Sequence, residues 1–182
     1  WSFEFEDQEW FAGFRELATH GINKPVLNIF RMFGMMGGQR VSLNSENGLT
    51  ASDIIANGVR ERNDIHGIAS KDQNSICVMV WSYHDDDISG ISSPIRLTVN
   101  GISQNQVLLH HYRVDQRYSN SFEAWKTMGK PQEVSSEQYK ILEAEGELQT
   151  MESPRWMKIE NGVGVIEFVL PRQAVSLLRI TW

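Results

Sequence analysis

Hydrophobic and polar positions alternate from the first residue. Trp1, Phe3 and Phe5 are aromatic while Ser2 and Glu4 are polar, the period-two pattern of a strand with one buried face. Glu6-Asp7-Gln8-Glu9 follows as an acidic strand-end loop, and the aromatic-rich stretch from Trp10 to Leu17 predicts a short helix or an ordered loop. Asn23-Lys24-Pro25 reads as a helix start, because proline in the first turn has no N–H to leave unsatisfied. From Val26 to Met36, positions 26, 27, 29, 30, 32, 33, 35 and 36 are apolar, and only Asn28, Arg31 and Gly34 form a polar stripe. That pattern predicts a helix buried on most sides and ended by Gly37-Gly38.

After residue 38 the period changes. Arg40 to Leu43 reads as a short strand, and residues 44 to 64 form a polar stretch with one helical turn around Ile54-Ile55. Strands are expected at Gly67–Ala69, Ile76–Tyr83, Ile95–Val99, Val107–Asp115, Trp156–Ile159, Val163–Leu170 and Ala174–Trp182. Asp72-Gln73-Asn74, Asn100-Gly101 and Asn161-Gly162 supply turn chemistry between them. Short strands at close spacing with tight turns predict a β-sandwich. One interruption breaks the series: two helical segments, Ser121–Met128 and Ser136–Glu145, separated by Gly129-Lys130-Pro131.

Composition narrows the function classes. The 182 residues suffice for one large domain, or for a small domain with an appendage, and 41% hydrophobic with 22% charged residues describes a globular chain. The net charge of -6, with no dense run of Lys or Arg, argues against a nucleic-acid or anionic-membrane surface. Apolar runs such as Val107-Leu108-Leu109 are too short to span a bilayer. Cys77, the one cysteine, lies in an apolar run and reads as a buried structural thiol. With no Asn-x-Ser/Thr acceptor, this fits a reducing or bacterial compartment. The chain starts at Trp1, inside what reads as a core strand, so a fragment of a longer protein is expected.

Three stretches together resemble glycoside hydrolase family 39, the β-xylosidases and their α-L-iduronidase relatives. Trp1-Ser2-Phe3 with Phe5-Glu6-Asp7 is similar to the family's eighth barrel strand and its acidic loop. Lys24-Pro25-Val26, through Asn28-Ile29-Phe30 to Met36-Gly37, is similar to the eighth barrel helix. The most specific stretch is Val114-Asp115, Tyr118, Asn120, Ala124-Trp125-Lys126, Met128-Gly129 and Pro131, followed by Ser136-Glu137-Gln138. The resemblance covers nearly the whole chain and is weakest over residues 50 to 70. It implies a mainly β fold: an accessory β-sandwich with a short helical insertion over residues 39–182, preceded at residues 1–38 by the last strand and helix of a (β/α)₈ TIM barrel. It also implies a retaining exo-acting β-xylosidase as the parent, in which one glutamic acid protonates the glycosidic oxygen and a second attacks the anomeric carbon, with the carboxyls ~5–5.5 Å apart. The family's acid lies in an Asn-Glu-Pro signature, which this chain lacks. Both carboxylates are therefore expected upstream of Trp1, no catalytic role falls on any residue here, and the chain alone should be inactive. The alternatives are an iduronidase-like glycosidase, or a non-catalytic carbohydrate-binding or interaction module.

Barrel active sites form at the C-terminal ends of strands. Glu6 and Asp7 directly follow the predicted strand and are candidates to hydrogen-bond sugar hydroxyls, as the resemblance implies for a carboxylate here. Trp1 is the candidate apolar platform under a pyranose ring. The competing interpretation is a solvated acidic loop and a core tryptophan. No metal site is expected: His110 and His111 are adjacent in a strand and point to opposite faces, and His84-Asp85-Asp86-Asp87 lacks the spacing of a calcium loop and reads as a solvated hairpin turn. Trp81, Trp125, Trp156 and Trp182 are expected in the core, with Trp125 locking the inserted helices. No cofactor is expected. The partners are a xylo-oligosaccharide held through the parent barrel, the upstream catalytic barrel, and a second copy of the chain as one occupant of the helix face left without neighbours.

Overall fold

The structure is a computed structural model that describes residues 9–12, 16–86 and 90–182. In chain order its elements are β1 (Ala18–Thr19), β2 (Ile22–Asn23), α1 (Pro25–Met35), β3 (Gln39–Val41), α2 (Ala51–Asn57), β4 (Asp64–Lys71), β5 (Ser75–Tyr83), β6 (Ser93–Asn100), β7 (Gln106–Val114), α3 (Ser121–Thr127), α4 (Ser136–Gly146), β8 (Arg155–Lys158), β9 (Val163–Leu170) and β10 (Ala174–Thr181). The expected strand Trp1–Phe5 lies outside the described residues. Two compact units emerge. One joins the residues up to Gly34 to Val114–Gln149; the other joins Met35–Arg113 to Thr150–Trp182.

The second unit is mainly β. A six-stranded sheet runs β3-β4-β5-β10-β7-β8, and β6 pairs with β9 in a two-stranded sheet. The registers of β5 with β10 and of β6 with β9 are antiparallel and unbroken over eight pairs each. Between the sheets lies an aliphatic core to which Val78, Leu109, Met157, Ile166, Leu170, Leu178 and Ile180 contribute, with Ile95, Leu97 and Phe168 packed against it. This is the expected sandwich, and its strand ends differ from the sequence-based ones by a residue or two, except that β4 extends Gly67–Ala69 on both sides.

The first unit holds the β1–β2 hairpin, most of α1, and the inserted helices α3 and α4. Each inserted helix has its own start signal. Asn120 caps α3 by accepting from Glu123 N, and Ser135 with Gln138 makes a reciprocal capping box at α4. A small aromatic cluster of Trp10, Trp125, Phe11, Phe122 and Tyr139, with Ile22 and Leu142, forms its core.

Helix α1 corrects the sequence-based expectation. Val26, Phe30 and Phe33 are 42%, 58% and 48% exposed, while the polar Asn28 is buried together with Met32. Residues 26, 30 and 33 form one stripe at helical spacing, so apolar character here marks an open face and not a buried one.

Candidate functional site

Trp1, Glu6 and Asp7, the residues expected to meet a sugar, lie outside the described residues. The chain that leaves them is described at residues 9–12, each of which is tied down. Glu9 N donates to Gln132 Oε1 at 3.2 Å, and His20 Nε2 donates to Glu9 O at 3.4 Å. The buried Trp10 ring stacks on His20 with centroids 4.2 Å apart and meets Tyr139 edge-on. Phe11 N donates to Thr19 Oγ1 at 3.1 Å, and its ring packs against Phe122 and Trp125. Ala12 O accepts from Lys24 Nζ at 2.6 Å. Burial lowers the pKa of the Lys24 amine, partly offset by Glu16, which lies 4.0 Å away. Residues 9–12 are thus held in a loop, while residues 13–15 of the Trp10–Leu17 stretch lie outside the described residues.

The helices that receive this loop are built from the residues that carry the family resemblance. Asp115 Oδ1 accepts from the backbone N–H of Arg117 at 2.7 Å and of Tyr118 at 3.0 Å, closing a tight turn. Asn120 Nδ2 donates back to Asp115 O at 2.8 Å while the same side chain caps α3. Trp125 Nε1 donates to Pro131 O at 2.9 Å, across a turn in which Gly129 takes a φ of 87°. The aspartate, asparagine and tryptophan side chains each bond a backbone atom here, and the glycine supplies a left-handed turn.

Asn28 is the central polar group of this unit. Its Nδ2 donates to Ser119 O at 3.1 Å and Gly146 O at 2.9 Å, and its Oδ1 accepts from Arg31 at 3.0 Å. Arg31 lies 3.6 Å from Glu147, which also accepts from Asn23 Nδ2 at 2.9 Å. Gly146 passes so close that a Cβ there would lie 2.8 Å from Asn23 O. Nothing in the linear pattern distinguished this clamp from a solvated stripe.

In the sandwich, His111, Arg113 and Ser176 form a buried polar group. Ser176 Oγ accepts from Arg113 Nε at 2.8 Å and also hydrogen-bonds His111 Nε2, 2.9 Å away. Burial, and the neighbouring Arg113, push the His111 pKa down to about 4, which keeps the ring neutral at pH 7. A serine beside a neutral histidine resembles a nucleophile with its base. Here the hydroxyl is fully buried, so the pair can serve the fold but meets no substrate. His111 and His110 project to opposite faces, as expected from their adjacency in β7.

Two expectations fail. His84 is buried, not part of a solvated turn: its Nε2 donates to Arg60 O at 2.9 Å and its Nδ1 accepts from Asp86 N at 3.0 Å. Trp156 is 63% exposed on edge strand β8, not in the core. Trp125 is buried, Trp81 is half-buried with its indole on Asp64 Oδ2 at 3.0 Å, and Trp182 packs partly on the sandwich core. Among the described residues no three His, Cys, Asp or Glu side chains converge to hold a metal.

Comparison with known proteins places these features. The sequence profile of glycosyl hydrolases family 39 matches residues 2–162. A protein named beta-xylosidase from Geobacillus stearothermophilus is 24% identical over 187 residues, covering 99% of this chain and 32% of that relative. A beta-xylosidase from Caldicellulosiruptor saccharolyticus is 26% identical over 168 residues, covering 91% and 31%. The chain therefore spans about a third of the length of these relatives. Among solved structures, the family 39 enzyme from Xanthomonas axonopodis pv. citri superposes with a TM-score of 0.75 at 17% identity, over 96% of this chain and 33% of that one. A bacterial orthologue of human α-L-iduronidase superposes with a TM-score of 0.71 at 15% identity, over 88% and 27%. At such identities the structural likeness is one of fold.

Proposed function

Because the chain belongs to glycosyl hydrolase family 39, we propose that it is the C-terminal part of a retaining, exo-acting β-xylosidase that removes xylose from xylo-oligosaccharides. The carrying observation is the match to two beta-xylosidases over nearly all of this chain. In this proposal residues 1–38 close the catalytic barrel and residues 39–182 form the accessory domain. Both catalytic glutamates belong to the upstream barrel, and Glu6, Asp7 and Trp1 line its sugar pocket. The anchoring of Glu9–Ala12 to α3, α4 and the β1–β2 hairpin supports that placement, because a carboxylate that orients a sugar needs a loop held by its surroundings. The exposed stripe of α1 is where the rest of the barrel docks.

Hydrolysis of an aryl β-xyloside tests this. The 182-residue chain alone should not turn it over. In the enzyme encoded by the full reading frame, Glu6→Gln should lower kcat/KM by about ten- to a hundred-fold, the effect of losing a charged hydrogen bond to the sugar. Turnover by the isolated chain, or kcat/KM unchanged in Glu6→Gln, Asp7→Asn and Trp1→Ala alike, would sink the corresponding part of the proposal. A second reading, a carbohydrate-binding module, is favoured by one observation, the exposed indole of Trp156.

A further inference from the structure

The six-stranded sheet has two faces, and the second carries unfinished polar chemistry. Directly paired residues project to the same side of a sheet. Leu178 and Val78 pair and point into the sandwich core, so Arg179 and its partner Cys77 point to the opposite face. Val107 and Met157 pair in the core, so Leu108 and its partner Trp156 share that opposite face too. Three buried side-chain atoms lack a hydrogen-bond partner among the described residues: Ser70 Oγ, His110 Nδ1 and Arg179 Nε. All three lie on this face, since Ser70 pairs with Cys77 and His110 is two residues from Leu108 on β7.

At one end of the face the surface opens into a cleft of about 630 Å³, lined by Asp72, Gln73, Asn74, Arg179, Thr181 and Trp182 among others. That size is within the ~300–1,000 Å³ of small-molecule sites. Asp72 Oδ1 accepts from the backbone N–H of Asn74 at 2.9 Å and of Ser75 at 2.7 Å, and these bonds hold its carboxyl below the usual range. The cleft therefore offers an ionised acceptor, Asp72, near the Arg179 guanidinium. Thr181 Oγ1, in the cleft lining, donates to Leu108 O at 3.4 Å, and Leu108 pairs with Trp156 on the same face. Two strand spacings, about 10 Å, separate Thr181 from Trp156 across the sheet.

We propose that this face is a non-catalytic binding site for an extended β-1,4-linked pyranose oligosaccharide, anchored between Arg179 and Asp72 at the cleft and the exposed ring of Trp156 on the edge strand. A balanced pair of charges with amides beside it suits a neutral polyol, whose hydroxyls both donate and accept, better than an anion. The indole face suits the C–H groups of a pyranose, and a flat sheet suits a ribbon-like chain. The site itself rests on the cleft and the exposed Trp156; the choice of a sugar rests on the glycosidase reading above.

Titration of the 182-residue chain with xylotetraose and with cellotetraose, read by calorimetry and by the indole N–H resonances in NMR, tests the site. Saturable binding of either sugar is expected, with the Trp156 indole shifting, and with Trp156→Ala and Arg179→Gln each weakening it about ten-fold or more. Gln73→Ala, on the exposed turn, should weaken it less and serves if Arg179→Gln does not fold. Binding of cellotetraose alone supports the site and counts against xylan as the parent's substrate. No binding of either sugar at millimolar concentration, or binding indifferent to Trp156→Ala and Gln73→Ala, overturns the site. Neither result touches the hydrolysis assay, which judges the parent's activity separately.

Discussion

The two units of the molecule are stabilised in different ways. In the sandwich, buried side chains such as Val78, Leu109, Leu170, Leu178 and Ile180 are aliphatic, and their energy depends on area and fit. In the unit built from the residues up to 34 and 114–149, an apolar cluster that includes Ile22 and Leu142 is joined by buried Asn28, Ser119, Ser121 and Trp125, and each of these four answers a specific backbone atom. Area is satisfied by any aliphatic side chain of similar volume, whereas a bond to one carbonyl is satisfied by very few residue types. This difference fits the fact that the most specific stretch of the resemblance runs from Val114 to Gln138.

The contrast can be broken in several ways, and Trp125 offers the largest effect. Trp125→Ala removes a buried ring and leaves Pro131 O without its donor, so it should destabilise the protein by ~3–5 kcal/mol in a denaturant titration. An unchanged midpoint would mean that the aromatic cluster does not hold the inserted helices.

Next is the pH response of the sandwich through its buried histidine His111. His111 has a folded-state pKa of about 4 against an ordinary 6.5. The unfolded chain therefore binds more protons between these values, and stability is complete above pH 6.5 and declines as pH falls toward 4. The expected loss is on the order of 3 kcal/mol, and it should vanish from the pH profile of His111→Gln. A wild-type profile flat between pH 6.5 and 4 would contradict the neutral, buried histidine.

A smaller effect sharpens the comparison directly. Asn28→Ala leaves two carbonyls and Arg31 without their partner and should cost about 2 kcal/mol. Ile180→Val in the sandwich removes one methylene and should cost about 1 kcal/mol. If Asn28→Leu, similar in volume and apolar, proved as stable as the wild type, the polar unit would tolerate substitution as freely as the apolar one.

Much of the architecture was legible in the chain. β5, β9 and β10 announced themselves as long alternating or apolar runs between Asn-Gly and Asp-Gln-Asn turns, because strand burial acts locally with period two. The inserted helices were visible as two segments split by Gly129-Lys130-Pro131, and the structure adds their caps, Asn120 and Ser135. Two signals misled. α1 has apolar residues on nearly every side, and composition cannot say which of them find neighbours; Val26, Phe30 and Phe33 do not. Trp156 was counted with the core because tryptophan usually is, yet β8 is an edge strand with one face open.

Sequence by itself determined the strands, the helix starts, the absence of an Asn-Glu-Pro signature and the family, because each depends on neighbouring residues or on a pattern of identities along the chain. Only the tertiary structure decided that α3 and α4 join the unit of the N-terminal residues, that Asn28 is buried, and that Arg179, His110 and Trp156 share one face. The physical reason is range. Alternation, caps and turns are settled within a few residues, whereas burial and hydrogen-bond partnership depend on atoms more than a hundred positions away, as with Asn28 and Gly146.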